Sequence, residues 1–204
     1  MSAIPLRVPG IARSELLLGG QKSGKSRHAE ALAQRWLAAG PQHRAVLLAT
    51  AQAWDAEMRE RIARHQADRA ARVPGLQTLE EPRDLAGALA RVSAPDTLVV
   101  VDCLTLWLTQ WLMPPEAPAS NLEPNRPDIE HWQAQAAQFL IAIEHSPGPV
   151  VLVGNEIGLG VIPLGREVRA FVDALGQLNQ RVAAAVDRVT LMVAGCPLVV
   201  KGAA

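Results

Sequence analysis

Residues 19–26 read GGQKSGKS, and this stretch decides the fold. It fits the pattern G-x-x-x-x-G-K-[ST] at every defined position, directly after the apolar residues 16–18 and directly before a segment with helical spacing of apolar residues. Glycines let such a loop curl so that its N–H groups surround phosphate oxygens. A strand before the loop and a helix after it are the context that the motif requires. The sequence therefore predicts a P-loop that binds a nucleotide.

A P-loop needs a cation and metal ligands around the phosphates. We expect Lys25 to act catalytically on the β- and γ-phosphates and the Ser26 hydroxyl to ligate Mg²⁺. The run TLVVVD (97–102) is typical of a buried strand that ends on a metal-binding aspartate, so Asp102 is the expected second ligand. Glu156, after the run VVLVGN, is a further carboxylate that suits a general base, a metal ligand or a substrate ligand, and the sequence leaves this choice open.

The order of elements predicts an α/β fold. Continuous apolar runs alternate with amphipathic segments, which is typical of a mainly parallel sheet with helices on both faces, here a RecA-like P-loop NTPase. The last two strands are joined only by Gly195-Cys196-Pro197, too short for a parallel crossover, so they should form an antiparallel hairpin. Residues 114–128 hold five prolines and should form a loop. We expect an extension over residues 1–14 and one domain over 15–204.

Composition narrows the class of protein. The 204 residues are 49% hydrophobic, and 20 Lys and Arg balance 20 Asp and Glu, which argues against nucleic-acid binding. The two cysteines form no CxxC pair and should be reduced thiols. Residues 1–13 contain no apolar signal-peptide core, and no apolar run approaches the roughly 20 residues of a spanning helix. We therefore expect a cytoplasmic protein without a membrane span.

Four stretches, which include the P-loop and Asp102, carry a family resemblance. They are LLLGGQKSGKSRHAEALA (16–33), ATAQAWDAEMRERIARHQADR (49–69), VVDCLTLWLTQWL (100–112) and the segment 151–189, which includes NEIGLGVIP and LGQLNQRVA. Together they resemble the bifunctional adenosylcobinamide kinase / adenosylcobinamide-phosphate guanylyltransferase family of cobalamin biosynthesis. The resemblance runs from residue 15 to 202.

This resemblance implies two reactions. ATP or GTP phosphorylates adenosylcobinamide, with the preferred nucleotide left open, and GMP is then transferred from GTP through a guanylylated histidine to give adenosylcobinamide-GDP and pyrophosphate. His65 is the histidine of the matching RIxxH segment (61–65). The resemblance also implies a homo-oligomer, a trimer in the family. Two other functions remain possible from the residues: a small-molecule kinase without GMP transfer, and a RecA-like nucleotide-switched binding module.

His65 suits the role of nucleophile. A neutral imidazole nitrogen can attack the α-phosphorus of GTP and form a labile phosphoramidate. Arg61 and Arg69 lie one helical turn on either side, where they would neutralise phosphate charge and disfavour the imidazolium. Some family members carry two adjacent histidines here, whereas this chain has Arg64 before His65, and the effect of Arg64 on guanylyl transfer is left open.

The P-loop motif and the family resemblance together imply a set of nucleotide-binding residues in the P-loop, after the neighbouring strands and on the histidine segment. They are Gly19, Gly20, Gln21, Lys22, Ser23, Gly24, Lys25, Ser26, Ala49, Thr50, Ala51, Gln66, Ala67, Asp68, Arg69, Glu80 and Asp102. A carboxylate at Glu80 can accept from guanine N–H groups, although it also suits the first turn of a helix. Thr50 can instead satisfy a carbonyl at the end of a strand. Trp107 and Trp111 are expected to pack in the protein or at a subunit contact rather than against a corrinoid.

Overall fold

The computed structural model describes residues 8–53, 56–113 and 129–203. The expected proline-rich loop (114–128) and most of the expected extension lie outside these residues. The strands are β1 (Ser14–Gly19), β2 (Arg44–Ala49), β3 (Leu76–Glu80), β4 (Thr97–Asp102), β5 (Val150–Val153), β6 (Arg188–Val193) and β7 (Cys196–Lys201). The helices are α1 (Lys25–Ala38), α2 (Ala56–Arg72), α3 (Leu85–Val92), α4 (Leu104–Leu112), α5 (Ile129–His145) and α6 (Arg166–Ala185).

All seven strands belong to one sheet in the order β3-β2-β4-β5-β1-β6-β7. Every pair is parallel except β6 and β7, which form the predicted antiparallel hairpin. The hairpin turns at Ala194 and Gly195, whose φ angles of 51° and 83° suit a two-residue turn of type I′. Strand β5 separates the P-loop strand β1 from the aspartate strand β4, as in RecA-like P-loop NTPases. The predicted fold class is confirmed.

Helices cover both faces of the sheet, as predicted. Helices α3, α4, α5 and α6 pack on one face, and α1 packs on the other around the fully buried Trp36. Trp107 is also fully buried and meets Trp132 and Phe139 edge to face, at 5.1 and 5.2 Å between ring centroids. Trp111 is 9% exposed. Both tryptophans of α4 therefore pack in the chain's own core, and neither is free to flank a corrinoid.

Strand β3 is an element that the sequence analysis missed. It lies at an edge of the sheet, and its side chains are mostly exposed, so no apolar run marks it. Glu80 ends this strand and does not begin a helix, which removes the alternative of a helix N-terminal glutamate.

The described part of the expected extension packs against the domain. Val8 and Ile11 contact the core beside α1, and Arg35 Nη2 donates to the Pro9 carbonyl. Within the described ranges, the chain offers no helix with the length and apolar character to span a bilayer.

Candidate functional site

The P-loop joins β1 to α1 and has the geometry that phosphate binding requires. Gly24 occupies the N-cap of α1 with φ at 102°, and no side chain caps this helix. The first amides of α1 are therefore available to an anion. Lys22 also adopts a left-handed conformation, with φ at 57°. A Cβ on Gly19 would lie 2.5 Å from the Met192 carbonyl oxygen, so only glycine fits there.

The C-terminal hairpin supports the P-loop from behind. The Gly195 amide at the hairpin turn donates to the Ser23 carbonyl over 2.9 Å. Strand β6 also pairs with β1 along its length, up to Gly19 opposite Met192. The hairpin that closes the chain therefore helps to hold the loop in its curled form.

Lys25 is 7% exposed, and its ammonium lies within the loop. Its Nζ donates to the carbonyl oxygens of Gly19, over 2.9 Å, and Gly20, over 2.7 Å. Burial lowers the pKa of Lys25, while Cys103 and Asp102 act in the opposite direction. The structure thus places the predicted catalytic cation on the P-loop itself.

Ser26, Glu30 and Asp102 line one recess beside the P-loop. The Asp102 side chain is 22% exposed, and burial raises the pKa of its carboxyl, with Arg69 and His65 offsetting part of the rise. A hydroxyl and a carboxylate are hard oxygen donors of the kind that Mg²⁺ takes, with phosphates and water completing its shell. No cluster of three or more His, Cys, Asp or Glu suited to a metal occurs in the described parts of the chain. The two predicted ligands therefore fit a magnesium ion held jointly with a nucleotide.

Arg69 connects the histidine helix to this recess. Its Nη2 lies 3.1 Å from Asp102 Oδ2 and its Nε lies 3.7 Å from Glu30 Oε1, with only 8% of the side chain exposed. Arg72, one turn nearer the end of α2, donates to both oxygens of Glu30, over 2.7 and 3.0 Å. We expected Arg69 to face phosphates beside His65. In the structure it pairs with carboxylates and ties α2 to both α1 and β4.

His65 is exposed on α2, one turn before Arg69. His65 is among the groups that lower the pKa of the Asp102 carboxyl, after Arg69. The next residue, Gln66, donates through Nε2 to Glu80 Oε1 over 3.2 Å. The structure therefore brings three predicted site residues, His65, Gln66 and Glu80, to the same edge of the sheet as Asp102.

Other predicted residues have different surroundings. The Thr50 side chain is fully buried; its hydroxyl donates to the Cys103 carbonyl over 2.8 Å and accepts from the Cys103 amide over 2.9 Å. This hydroxyl fixes the end of β4, the alternative role considered for it.

The remaining predicted residues make few contacts. Ala67 and Asp68 are exposed on α2, and Asp68 faces Arg72 at 3.9 Å. Ala49 and Ala51 are partly exposed, and Gln21 is exposed. The side chain of Arg61 lies outside the described residues.

Two residues of this region escaped the sequence analysis. Glu30 is 5% exposed and anchors both arginines of α2. Its position on the buried stripe of α1 with Ala29 and Ala33 was the available signal, because a charge on an apolar stripe indicates a buried ion pair. Asn179, 4% exposed on α6, donates to the Asn155 carbonyl over 3.1 Å. Its position on the buried stripe of α6 with Leu175 and Val182, inside the quoted stretch LGQLNQRVA, was the available signal.

The fold and the site together define a P-loop nucleotide-binding enzyme of the phosphoryl-transfer type. A family model described as "Cobinamide kinase / cobinamide phosphate guanyltransferase" matches residues 15–200. The chain belongs to this family, as its motifs predicted, and is a bifunctional kinase and guanylyltransferase of adenosylcobalamin biosynthesis that uses GTP or ATP. This membership decides in favour of the bifunctional enzyme over a kinase alone and over a nucleotide-switched binding module.

Three relatives match nearly end to end. The bifunctional adenosylcobalamin biosynthesis protein CobP of Pseudomonas aeruginosa is 43% identical over 92% of this chain and 97% of its own length. The proteins named CobU from Salmonella typhimurium and Escherichia coli are 37% and 33% identical, each over 91% of this chain and 98% of its own length. A solved structure, the flagellar accessory protein FlaH of Methanocaldococcus jannaschii, aligns over 94% of this chain and 80% of that one, with 9% identity and a TM-score of 0.48.

Proposed function

We propose that both reactions take place along the edge of the sheet that carries the P-loop, Asp102 and the end of α2. ATP or GTP phosphorylates adenosylcobinamide there, and GMP then passes from GTP to the new phosphate through His65. The observation that carries the proposal is the ion pair of Arg69 with Asp102, which fixes the histidine helix beside the P-loop edge.

In the kinase step, the P-loop binds the triphosphate through its backbone amides and the N-terminus of α1. Lys25 leaves the carbonyl oxygens of Gly19 and Gly20 and neutralises charge on the β- and γ-phosphates. Ser26 and Asp102 would hold Mg²⁺. When bound, this ion supplies further positive charge at the phosphate oxygens.

In the transferase step, the neutral His65 ring attacks the α-phosphorus of GTP. A nitrogen–phosphorus bond forms, the bond to the bridging oxygen breaks, and pyrophosphate leaves. A phosphate oxygen of adenosylcobinamide phosphate then attacks the same phosphorus and releases the imidazole. Because His65 is exposed, both partners can reach it in turn, and the exposed Arg64 beside it adds a cation where some family members have a second histidine.

Guanine recognition fits the far end of this edge. Glu80 ends β3 and already accepts a hydrogen bond from Gln66, so its carboxylate faces the histidine helix. Strand β3 lies four strand positions from β1, or about 19 Å at ordinary strand spacing. A GTP with its base near Glu80 and its terminal phosphates toward the P-loop would place its α-phosphate near Asp102. His65 is among the groups that lower the pKa of this carboxyl.

The surface supports assembly into a homo-oligomer, a trimer by the family resemblance. The segment after β5 exposes Leu159 (80%), Val161 (96%), Ile162 (77%) and Leu164 (97%). So many exposed apolar side chains in one short segment are typical of an interface. Leu104, Trp107, Leu108 and Trp111 of α4 are buried in the core and are not available for such an interface.

The domain organisation and the cellular location complete the proposal. The chain forms one domain over residues 15–204 after an N-terminal extension, and the single sheet that holds all seven described strands supports the single domain. The enzyme works in the cytoplasm. The two free cysteines, Cys103 and Cys196, support a reducing compartment.

A pair of variants, each assayed for phosphorylation and for GMP transfer, tests which residue serves which reaction. We expect His65→Ala to keep adenosylcobinamide phosphorylation and to lose GMP transfer. Lys25→Ala should lose phosphorylation by at least about 100-fold, because charge stabilisation at the phosphates is lost. Near-normal phosphorylation by Lys25→Ala, or loss of both reactions in His65→Ala, would contradict the assignment.

A further inference from the structure

Glu156 lies directly beside the P-loop. It follows β5, the strand that lies between the P-loop strand and the aspartate strand. Its amide donates to the Gly19 carbonyl over 3.1 Å, and the same oxygen accepts from Lys25 Nζ over 2.9 Å. The backbone of Glu156 and the catalytic ammonium are thus anchored to one atom of the P-loop.

The carboxylate of Glu156 is held in a defined orientation. Its Oε1 accepts from the Gly158 amide over 3.1 Å, and its Oε2 accepts from Asn179 Nδ2 over 3.4 Å. Asn179 is itself fixed, since it is buried on α6 and also donates to the Asn155 carbonyl. The Glu156 side chain is half-buried, and no cation in the described residues forms an ion pair with it. It is therefore oriented and open to solvent at once.

The other carboxylates along this edge are already engaged. Asp102 and Glu30 pair with Arg69, and Glu80 accepts from Gln66. Among the described carboxylates next to the P-loop, Glu156 is partly exposed to solvent and has no role in the two reactions as described so far. Phosphoryl transfer to an alcohol calls for a general base, because the attacking hydroxyl must lose its proton.

We propose that Glu156 is the general base of the kinase reaction. The acceptor hydroxyl oxygen forms a bond to the γ-phosphorus, the bond from that phosphorus to the β–γ bridging oxygen breaks, and the nucleoside diphosphate leaves with the electron pair. The hydroxyl proton passes to the Glu156 carboxylate and then to solvent.

The guanylyl half-reaction does not need this base. Its acceptor is a phosphate monoester, which is largely ionised near neutral pH because its second pKa is about 6. Loss of the Glu156 carboxylate should therefore separate the two reactions. The inference rests on the kinase half of the family's activity and does not involve His65, so it can fail while the histidine assignment stands.

The test is the Glu156→Gln variant, which keeps size and removes the base. We expect kcat for phosphorylation of adenosylcobinamide to fall about 100- to 1,000-fold, with the KM for the nucleotide little changed. GMP transfer from GTP to supplied adenosylcobinamide phosphate should stay within about twofold of the parent enzyme. The matched control is Glu167→Gln, an exposed carboxylate in the first turn of α6 that should leave both reactions intact.

A second variant guards against indirect effects. In Glu156→Ala, added formate should restore part of the phosphorylation rate, whereas chloride at equal ionic strength should not, because only formate replaces the missing base. Phosphorylation by Glu156→Gln within about threefold of the parent rate would overturn the proposal. A parallel loss of phosphorylation and GMP transfer would also overturn it, since that pattern indicates a role in folding or in nucleotide binding.

Discussion

Arg69 Nη2 lies 3.1 Å from Asp102 Oδ2, and this ion pair joins the helix that carries His65 to the strand that carries the expected metal ligand. The same guanidinium lies 3.7 Å from Glu30, one turn after Ser26 on the P-loop helix. Three elements that each supply a functional residue therefore meet at one arginine. Because opposite charges hold this junction together, its strength should respond to changes of either partner.

Loss of Arg69 should destabilise the protein more than loss of its neighbour. Arg69→Met leaves the poorly exposed Glu30 and Asp102 without a shared cation, and breaking a buried pair costs about 3 kcal/mol or more. Arg72→Met is the comparison, because Arg72 is 41% exposed and its loss leaves Glu30 with the buried Arg69 at 3.7 Å, so we expect a smaller loss of stability. Urea denaturation of both variants measures the difference. Equal losses of unfolding free energy would show that the Arg69 junction is not a structural link.

Magnesium dependence should change when Asp102 is neutralised. Asp102→Asn keeps the size of the side chain and an oxygen that can accept from Arg69, but it removes the charge that binds Mg²⁺. We expect the Mg²⁺ concentration for half-maximal phosphorylation to rise at least about tenfold. A titration of kinase rate against Mg²⁺ measures this shift. A curve that superimposes on that of the parent enzyme would remove Asp102 from the metal site.

The same variant should change how stability depends on pH. Burial raises the pKa of Asp102 above its ordinary value of 3.8, so the folded chain holds this proton more tightly than the unfolded chain. The contribution of Asp102 to the free energy of unfolding is therefore fully present below that value and is lost as the pH rises through the folded pKa. The substituted amide cannot ionise, so in magnesium-free buffer Asp102→Asn should gain stability relative to the parent as the pH rises above about 4, until the raised pKa of the folded chain is passed. A stability difference that is constant or falls over this range would contradict the cause assigned to the pKa.

Oligomer formation should depend on the exposed segment after β5. Leu164 is 97% exposed, so replacing it with aspartate removes no contact within the chain but introduces a charge into the proposed interface. We expect Leu164→Asp to sediment as a smaller species than the parent protein. The control is Glu144→Gln, an exposed residue of α5, the helix that packs against α3. Unchanged sedimentation of Leu164→Asp would exclude this segment from the interface.

Local signals predicted most of the sheet. The P-loop motif with its flanking strand and helix specified β1 and α1, and the continuous run TLVVVD specified β4, whose first five residues are buried. The short link after β6 correctly predicted the hairpin, although the turn is formed by Ala194 and Gly195. Strand β3 gave no such signal, because an edge strand with exposed side chains needs no apolar run.

The sequence named candidate residues for the site but not the contacts between them. The motif and the resemblance pointed to Lys25, Asp102 and His65, whereas the pairing of Arg69 with Asp102 depends on a crossover that brings residues 33 positions apart together. Sequence spacing placed Arg69 on one face with His65 and suggested phosphate binding. It carried no information on which carboxylates that face would meet after folding.

The most direct test of the central claim is to map the guanylylated residue. The parent enzyme is incubated with GTP in the absence of the corrinoid acceptor, digested under mildly basic conditions that preserve a phosphoramidate, and sequenced by tandem mass spectrometry. We predict GMP on the peptide that contains residues 61–69, attached to His65, and no labelled peptide from His65→Ala. GMP attached to any other residue, or a labelled His65→Ala protein, would contradict the claim that the imidazole on α2 carries the guanylyl group.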